Sequence, residues 1–332
     1  MRKATIHLII FAAILLENGC SMLDKLTDDS NSSRVIARSS DYILLQVGKE
    51  DAHALAARYL GDSSRYWQIE DANPRDAIGP GAEILVPLGQ DNPTAVFAEG
   101  YQTVPVLCYH NFGDRSTKMT ISVSRFREQM QYLKDNDYRV IPLQDFIAFL
   151  NGKRQIPRRA VVLTMDDGHR SIYDVAFPIL KEFGFPATVF VYTDYINNGG
   201  LGWKQLADMM GSGLITVQPH SKTHDNLTLR ANGETQQEYL QRVEQEVRLP
   251  KQQLRKHLQS TPVAYAYPYG DANDQVISML KQEGLSFGLT VQTGGNAVFS
   301  YPYLLHRSIV FGDRGLDEFT SLLVTFESYD SR

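Results

Sequence analysis

Between residues 104 and 310, short runs of β-branched and aromatic residues alternate with longer segments whose apolar positions recur every three or four residues. The short runs fall at 104–109, 138–141, 160–165, 187–191, 214–218, 263–267, 286–290 and 305–310 and predict strands. Helical spacing at 122–136, 143–150, 171–183, 203–210, 233–258 and 273–283 predicts the helices between them. Eight such alternations over about 230 residues predict an α/β domain at 104–332: a distorted parallel (β/α) barrel, TIM-like, of seven or eight strands, rather than an open sheet.

Upstream the pattern breaks into smaller pieces. Residues 41–89 turn apolar after a polar stretch and read as one strand, two short helices and one strand, a small α+β domain. Residues 90–103 hold Pro93 and Gly100 and read as a linker. Residues 21–40 are polar, with the run Asp28-Asp29-Ser30-Asn31-Ser32-Ser33, and too few apolar groups are present to offset ordering entropy, so a flexible tether is expected. In residues 1–20, Arg2 and Lys3 precede an apolar stretch from Ile6 to Leu16 and then Glu17-Asn18-Gly19-Cys20, the charged, apolar and small-residue order of a secretory signal. About eleven apolar residues are too few to span a bilayer.

Composition narrows the function classes. A chain of 332 residues with 43% hydrophobic content supports one enzyme-sized core and a small accessory domain. With 33 Lys and Arg against 38 Asp and Glu, the net charge of -5 gives no general basic field, and nucleic acid is set aside as a partner. The basic cluster Lys153, Arg154, Arg158 and Arg159 reads as a solvated loop. The 2 cysteines form no disulfide framework or zinc knuckle; Cys108, in an apolar run, reads as a small buried hydrophobe.

Tyr42, Val47 and Gly48, then Leu55, Ala56 and Tyr59, Trp67, Ile69 and Asn73, and finally Gly81, Ile84, Val86 and Pro87 resemble a LysM module. That resemblance implies binding to N-acetylglucosamine-containing glycans; Lys49-Glu50 departs from the usual acidic-hydroxyl pair, and a structural cap without a ligand is the alternative. The Gly19-Cys20 pair resembles a lipoprotein processing site, although Glu17 stands where leucine is usual. It implies lipidation at Cys20, membrane attachment and a place in the bacterial cell envelope; ordinary signal cleavage or an uncleaved anchor are the alternatives.

The residues with the strongest chemical signal stand at predicted strand ends. Val161-Val162-Leu163-Thr164-Met165-Asp166-Asp167-Gly168 ends an apolar strand in two adjacent carboxylates and a glycine. Neighbouring side chains of a strand point to opposite faces, so both aspartates reach one site only where the strand ends and glycine permits a tight turn. Two close carboxylates raise one pKa unless a cation binds one while the other accepts a proton. Pro219-His220-Ser221-Lys222-Thr223-His224 places two of the chain's 8 histidines in a His-x-x-x-His spacing that can close on one metal from a helical turn or a compact loop. Ala264-Tyr265-Ala266-Tyr267-Pro268-Tyr269-Gly270 runs a third strand into a proline turn.

These three motifs, in this order and with Tyr109-His110 on the first strand, resemble the NodB-homology polysaccharide deacetylases, carbohydrate esterase family 4. Tyr109-His110 with Ile121-Ser122 and Phe126 is most similar to the branch that includes the poly-N-acetylglucosamine deacetylases. The resemblance implies that Asp167, His220 and His224 hold a divalent metal, zinc first, with cobalt, nickel or iron also compatible with the donor set. It implies Asp166 as general base and the backbone N–H of Tyr269 as oxyanion donor. The general acid is assigned to His306, with His110 as competitor and as a residue lining the site. Trp203 and Tyr267 are taken as sugar contacts, Trp203 with helix-start packing as its plainer reading. Ala266 replaces an arginine that usually orients the base, leaving Arg307 or no group for that task. The implied activity is removal of N-acetyl groups from an envelope or extracellular polysaccharide; O-acetyl ester hydrolysis and a non-catalytic glycan-binding lipoprotein are the competing readings.

Overall fold

The structure, a computed structural model, describes residues 32–74, 77–89 and 91–329, so the signal-like segment and Cys20 lie outside the described residues. The chain divides into two units after Gly89. In the first, strands β1 (Arg34–Arg38) and β2 (Tyr42–Gln46) precede helices α1 (Ala52–Leu60) and α2 (Tyr66–Asp71) and strand β3 (Glu83–Pro87). The sheet is antiparallel in the order β1-β2-β3. Period-two alternation turns Ile43, Leu45, Ile84 and Val86 to one face, where Leu55, Ala56 and Ile69 complete a core. Asp51 caps α1 by accepting from Ala54 N at 2.8 Å, and Gly61 ends it in the left-handed region. The Asn73 amide ties α2 to β3, donating to Ile69 O and Leu85 O and accepting from Leu85 N.

At Arg34–Arg38 the structure has a strand where a tether over 21–40 was expected. Val35, Ile36 and the flanking arginines are all exposed, so no local burial marks them; the strand is held by pairing to β2 through backbone that local composition cannot reveal.

The second unit opens with β4 (Gly100–Gln102), β5 (Val104–Tyr109), β6 (Asn111–Gly113) and β7 (Thr120–Ser122), then α3 (Val123–Asp135), β8 (Arg139–Val140) and α4 (Leu143–Leu150). There follow β9 (Ala160–Met165), α5 (Phe177–Phe183), β10 (Ala187–Val191), α6 (Trp203–Gly211), β11 (Ile215–Pro219) and α7 (Gln236–Leu258). It closes with β12 (Ala264–Ala266), α8 (Asp274–Gln282), β13 (Phe287–Leu289), β14 (Gly295–Asn296), β15 (Ser308–Ile309), α9 (Leu316–Ser321) and β16 (Phe326–Ser328).

Parallel pairing runs through β11, β10, β9, β5 and β15, and β12 and β13 form a second parallel pair. Two seams close the ring. A bridge between Leu289 and Leu305 joins β13 to the chain entering β15. Between β11 and β12, the Gln218 side-chain oxygen accepts from Val263 N at 3.0 Å and Ala264 N at 3.1 Å, in place of a strand ladder. The result is a distorted barrel of seven strands: β5, β9, β10, β11, β12, β13 and β15. The eighth predicted strand, β8, pairs only with Ala160 and Val161 at the start of β9.

Alternation along these strands sorts the core. Leu107, Tyr109, Leu163, Met165, Val189 and Val217 pack with the helices, whereas Val106, Val162, Phe190, Ala264, Ala266, Leu289 and Leu305 pack together in the other large cluster. Cys108, His110, Thr164 and Asp166 share the parity of Val106 and Val162 and so turn to that second face. The expected linker at 90–103 is only partly one: Ala95 is buried, and β4 pairs antiparallel with β16, a partner more than two hundred residues along the chain that local pattern cannot supply. Among the described residues no helix is long and apolar enough to cross a membrane.

Candidate active site

The Asp-Asp-Gly turn begins where β9 stops: Asp166 N donates to Tyr109 O at 2.9 Å, and Gly168 N folds back to Asp166 O at 2.9 Å. Asp167 (φ 71°) and Gly168 (φ 78°) are both left-handed. A Cβ on Gly168 would meet Val191 Cγ1 at 2.9 Å, so glycine is required twice over, for conformation and for room. The reversal brings both carboxylates to one place. Asp166 is 1% exposed, with its side chain inside the barrel mouth.

His220 follows β11 and donates its N–H to Val191 O at 2.8 Å. Its Nδ1 lies 2.8 Å from Ala266 O, and since a carbonyl only accepts, that nitrogen carries the proton and Nε2 keeps its lone pair. His220 Nε2 stands 3.7 Å from Asp167 Oδ1 and 3.8 Å from Asp166 Oδ2, and His224 Nε2 stands 3.2 Å from Asp167 Oδ1. The loop between the histidines is compact, not helical, with Ser221 at φ 77° and His224 at φ 70°. Ser221 Oγ accepts from His224 N at 2.8 Å, and Thr193 and Asp194 donate their N–H groups to Ser221 O and Lys222 O.

The third loop leaves β12 through Tyr267 and Pro268. Tyr269 is left-handed (φ 61°), and its N–H donates to no group among the described residues, which leaves it free for a ligand. Its ring is 60% exposed and meets His224 edge-on with centroids 4.9 Å apart. Asp167, Ser221, His224 and Tyr269 are thus all left-handed without being glycine, and all lie in the three motif loops. Each costs about 1–3 kcal/mol, a concentration of strain typical of working sites.

Arg307, fully buried, answers the question raised by Ala266. Its Nη1 and Nη2 donate to Asp166 Oδ1 at 2.6 Å and Oδ2 at 2.7 Å, and its Nε donates to Thr290 O. The Asp166 carboxylate, the expected base, is therefore oriented from β15's side of the barrel. Burial raises the Asp166 carboxyl, but Arg307 and His220 outweigh it and the net direction is down. Asp167 is also raised by burial and lowered further by His169, His224, His220 and His110, ending well below the usual carboxylate range. Burial lowers the His220 imidazole, which favours the neutral, ligating form; His224 is raised, since Asp167 outweighs its burial.

Asp167 Oδ1 is buried and has no hydrogen-bond partner, while two imidazole nitrogens face it. An orphaned carboxylate oxygen between two ring nitrogens is costly unless a cation fills the space, and one carboxylate with two imidazoles suits a borderline divalent ion. The ligand atoms of Asp167, His220 and His224 all lie within 4.8 Å of one another.

The two expected sugar contacts lie elsewhere. Tyr267, expected at the sugar, is fully buried and donates its hydroxyl to Tyr303 O at 2.9 Å, in a core with Tyr265, Leu280 and Leu285. Trp203, also expected there, stacks on His257 at 4.3 Å and packs on the helix-side core, the plainer of its two readings. His306 neighbours Arg307 in an extended stretch whose successive side chains face opposite ways, and its ring packs against Gly294, where an added Cβ would come within 2.7 Å. The imidazoles of His110, His169, His220 and His224 bear on the two aspartates. His110, the competitor for the acid, is the one on the Asp166 side, mostly buried, with its pKa lowered by burial against the pull of Asp166 and Asp167.

Three residues of the site were missed in the sequence. His169 Nε2 lies 3.2 Å from Asp167 Oδ2, and its Nδ1 lies 3.5 Å from Tyr195 Oη; its place directly after Gly168 was the available signal. Glu246 is buried on α7 and accepts from Lys222 N at 2.8 Å, Thr223 N at 2.9 Å and Thr223 Oγ1 at 2.9 Å, bracing the loop between the histidines. Tyr192, stacked on Tyr195, meets His224 at 5.2 Å.

Comparison with known proteins agrees with this geometry. The polysaccharide deacetylase family matches residues 153–288, which include both aspartates, both loop histidines and Tyr269. The poly-beta-1,6-N-acetyl-D-glucosamine N-deacetylase of Staphylococcus epidermidis is 30% identical over 221 residues, covering 64% of this chain and 73% of that protein. Its Staphylococcus aureus counterpart is 26% identical over 200 residues, covering 58% and 69%. Among solved structures, IcaB from Ammonifex degensii superposes with a TM-score of 0.60 at 26% identity, over 68% of this chain and 97% of that one. The deacetylase domain of BpsB from Bordetella bronchiseptica gives 0.57 at 25% identity, over 67% and 98%. On this evidence of sequence and fold, the chain belongs to the polysaccharide deacetylase family.

Proposed function

We propose that the protein is a metal-dependent N-deacetylase that hydrolyses acetamide groups of N-acetylglucosamine units in an extracellular or envelope polysaccharide, poly-β-1,6-N-acetylglucosamine first among them. The observation that carries this reading is the orphaned Asp167 Oδ1 facing His220 and His224, with an arginine-held carboxylate, Asp166, beside it. The substrate class comes from the relatives' stated activity.

Asp167, His220 and His224 would hold the ion, for which zinc is the first choice. When bound, it supplies Lewis-acid polarisation of the acetyl carbonyl and acidifies the attacking water. Asp166 takes the water's proton; Arg307 fixes both carboxylate oxygens, so the base does not rotate away as the proton moves. The free N–H of Tyr269 donates to the oxyanion as the carbonyl becomes tetrahedral. His110 then protonates the leaving nitrogen, since an amide anion is too poor a leaving group to depart unprotonated. The exposed Tyr269 ring offers an apolar face on which a pyranose can lie.

The first unit, by the strand-helix-helix-strand order of β2, α1, α2 and β3, is assigned to glycan binding, and Cys20 to lipid attachment after export. An acetate-release screen across poly-N-acetylglucosamine, peptidoglycan, chitin oligomers and acetylxylan, each with chelator and with metal restored, tests the reading. Chelator-sensitive release from N-acetylglucosamine polymers is expected. Release from acetylxylan alone would move the activity to ester hydrolysis, and no release from any substrate would end the hydrolase reading.

A further inference from the structure

Among the described residues two sets of metal-type donors meet at the barrel mouth, the Asp167, His220 and His224 set being the first. The second consists of Cys108, His110 and Asp166, whose donor atoms all lie within 4.8 Å of one another and which shares no residue with the Asp167, His220 and His224 set. Cys108 and His110 stand two apart at the end of β5 and face the same way. The β5–β9 register pairs Tyr109 with Met165, so the next residues, His110 and Asp166, come side by side. Cys108 Sγ lies 3.4 Å from Asp166 Oδ2.

That distance suits coordination as well as it suits a thiol hydrogen bond. With metal–sulfur and metal–oxygen bonds of about 2.3 Å and 2.1 Å, a tetrahedral ion holds its sulfur and oxygen ligands roughly 3.5 Å apart. An ion would therefore take the place of the thiol proton between sulfur and oxygen with little movement of either. The His110 ring accepts from and donates to no other group among the described residues, so it is free to complete a third bond. Thiolate with imidazole selects zinc, cadmium or another thiophilic ion over magnesium or calcium.

We propose that Cys108, His110 and Asp166 form a second, weaker site for zinc-like divalent ions, whose occupation silences the enzyme. Binding exchanges one proton: the thiol releases H+ to solvent as the sulfur–metal bond forms, with no change of oxidation state. Two features keep the site weak. The Arg307 guanidinium, bonded to both Asp166 oxygens, repels an incoming cation, and the fully buried thiol holds its proton firmly. The site therefore fills only when metal exceeds what the Asp167 set takes up. Once filled, it occupies the base and the acid together, so hydrolysis stops even though the first ion is in place. The silencing rests on the deacetylase reading; the binding does not.

The test uses the full chain loaded with one equivalent of zinc, then titrated with cadmium and, separately, with more zinc. Equilibrium dialysis counts bound ions, the ultraviolet sulfur-to-cadmium charge-transfer band reports thiolate ligation, and acetate release reports activity. Wild type is expected to take up a second equivalent, develop the band and lose activity in excess zinc. Cys108→Ser, with Cys108→Ala as a second variant should the first fold poorly, is expected to bind one equivalent fewer than wild type and to lose the part of the band that depends on Cys108. Its inhibitory zinc concentration should rise on the order of tenfold or more. Absence of a Cys108-dependent band, or equal zinc inhibition in wild type and variant, overturns the proposal. If no glycan is hydrolysed, stoichiometry and the band still decide the site, so that failure is distinct from failure of the function.

Discussion

As the proposed base, Asp166 would work under two opposed demands, since a base must accept a proton and Arg307 holds this carboxyl in its ionised form. The pair is wholly buried, and removing one member leaves the other charge without compensation, at a cost of about 3–5 kcal/mol. Asp166→Asn should therefore lower acetate release about 10²–10⁴-fold, leave the Asp167 metal set occupied, and destabilise the metal-free protein by several kcal/mol at neutral pH. The pH dependence follows from the direction of the shift. A carboxyl whose folded pKa lies below its ordinary 3.8 contributes stability above that value and loses it as pH falls through the folded pKa. The stability gap between wild type and Asp166→Asn is thus expected at pH 7 and should close only below about pH 3.8; equal urea midpoints of the metal-free proteins at neutral pH would sink the argument. The acid is tested at the same scale. His110→Asn should cut kcat by about 10²-fold or more with metal content intact, while His306→Asn should leave kcat within about twofold; the reverse result would return the role to His306.

At the scale of elements, the strands and the three motif loops were legible because a buried strand must be apolar and a site at its end must break that run with polar residues and a glycine. What the sequence hid were partners far along the chain. Arg307 meets Asp166 only because β15 lies beside β5, and Glu246 reaches the His220–His224 loop only because α7 packs on β11. Helix α7 also carries Pro250, which cannot donate to the carbonyl of Glu246 four residues before it; the Tyr265 hydroxyl, 3.4 Å away, donates instead. The helix is thereby pinned to β12 at the residue whose side chain braces the metal loop. Lys222 and Thr223 lie between two left-handed residues, and the Glu246 carboxylate offsets that strain with three accepted hydrogen bonds. Glu246→Ala should weaken metal binding about 10–100-fold, read by calorimetric titration, whereas circular dichroism of the metal-free protein stays that of a folded barrel. Unchanged metal affinity would show that Ser221 and the Thr193–Asp194 backbone hold the loop unaided.

At the scale of the molecule, every residue assigned to chemistry lies after Gln90, in a unit whose barrel closes on itself through Gln218 and Leu305. A chain beginning at Gln90 should therefore release acetate from short N-acetylglucosamine oligomers with an unchanged kcat, since no group from the first unit enters the reaction. Polymer is a different case. As the proposed glycan-binding unit, the first unit would raise the local concentration of substrate for the barrel, and such linkage raises apparent affinity without any new contact at the catalytic residues. Removing it should raise KM on long polymer about tenfold or more while KM on short oligomers stays the same, because avidity needs a substrate that engages two binding sites at once. The comparison separates two claims that a single activity assay would merge. Loss of kcat on oligomers would mean that the barrel's site is incomplete without the first unit, whereas an equal KM on polymer with and without residues 32–89 would remove glycan binding from that unit and leave it the role of a structural cap.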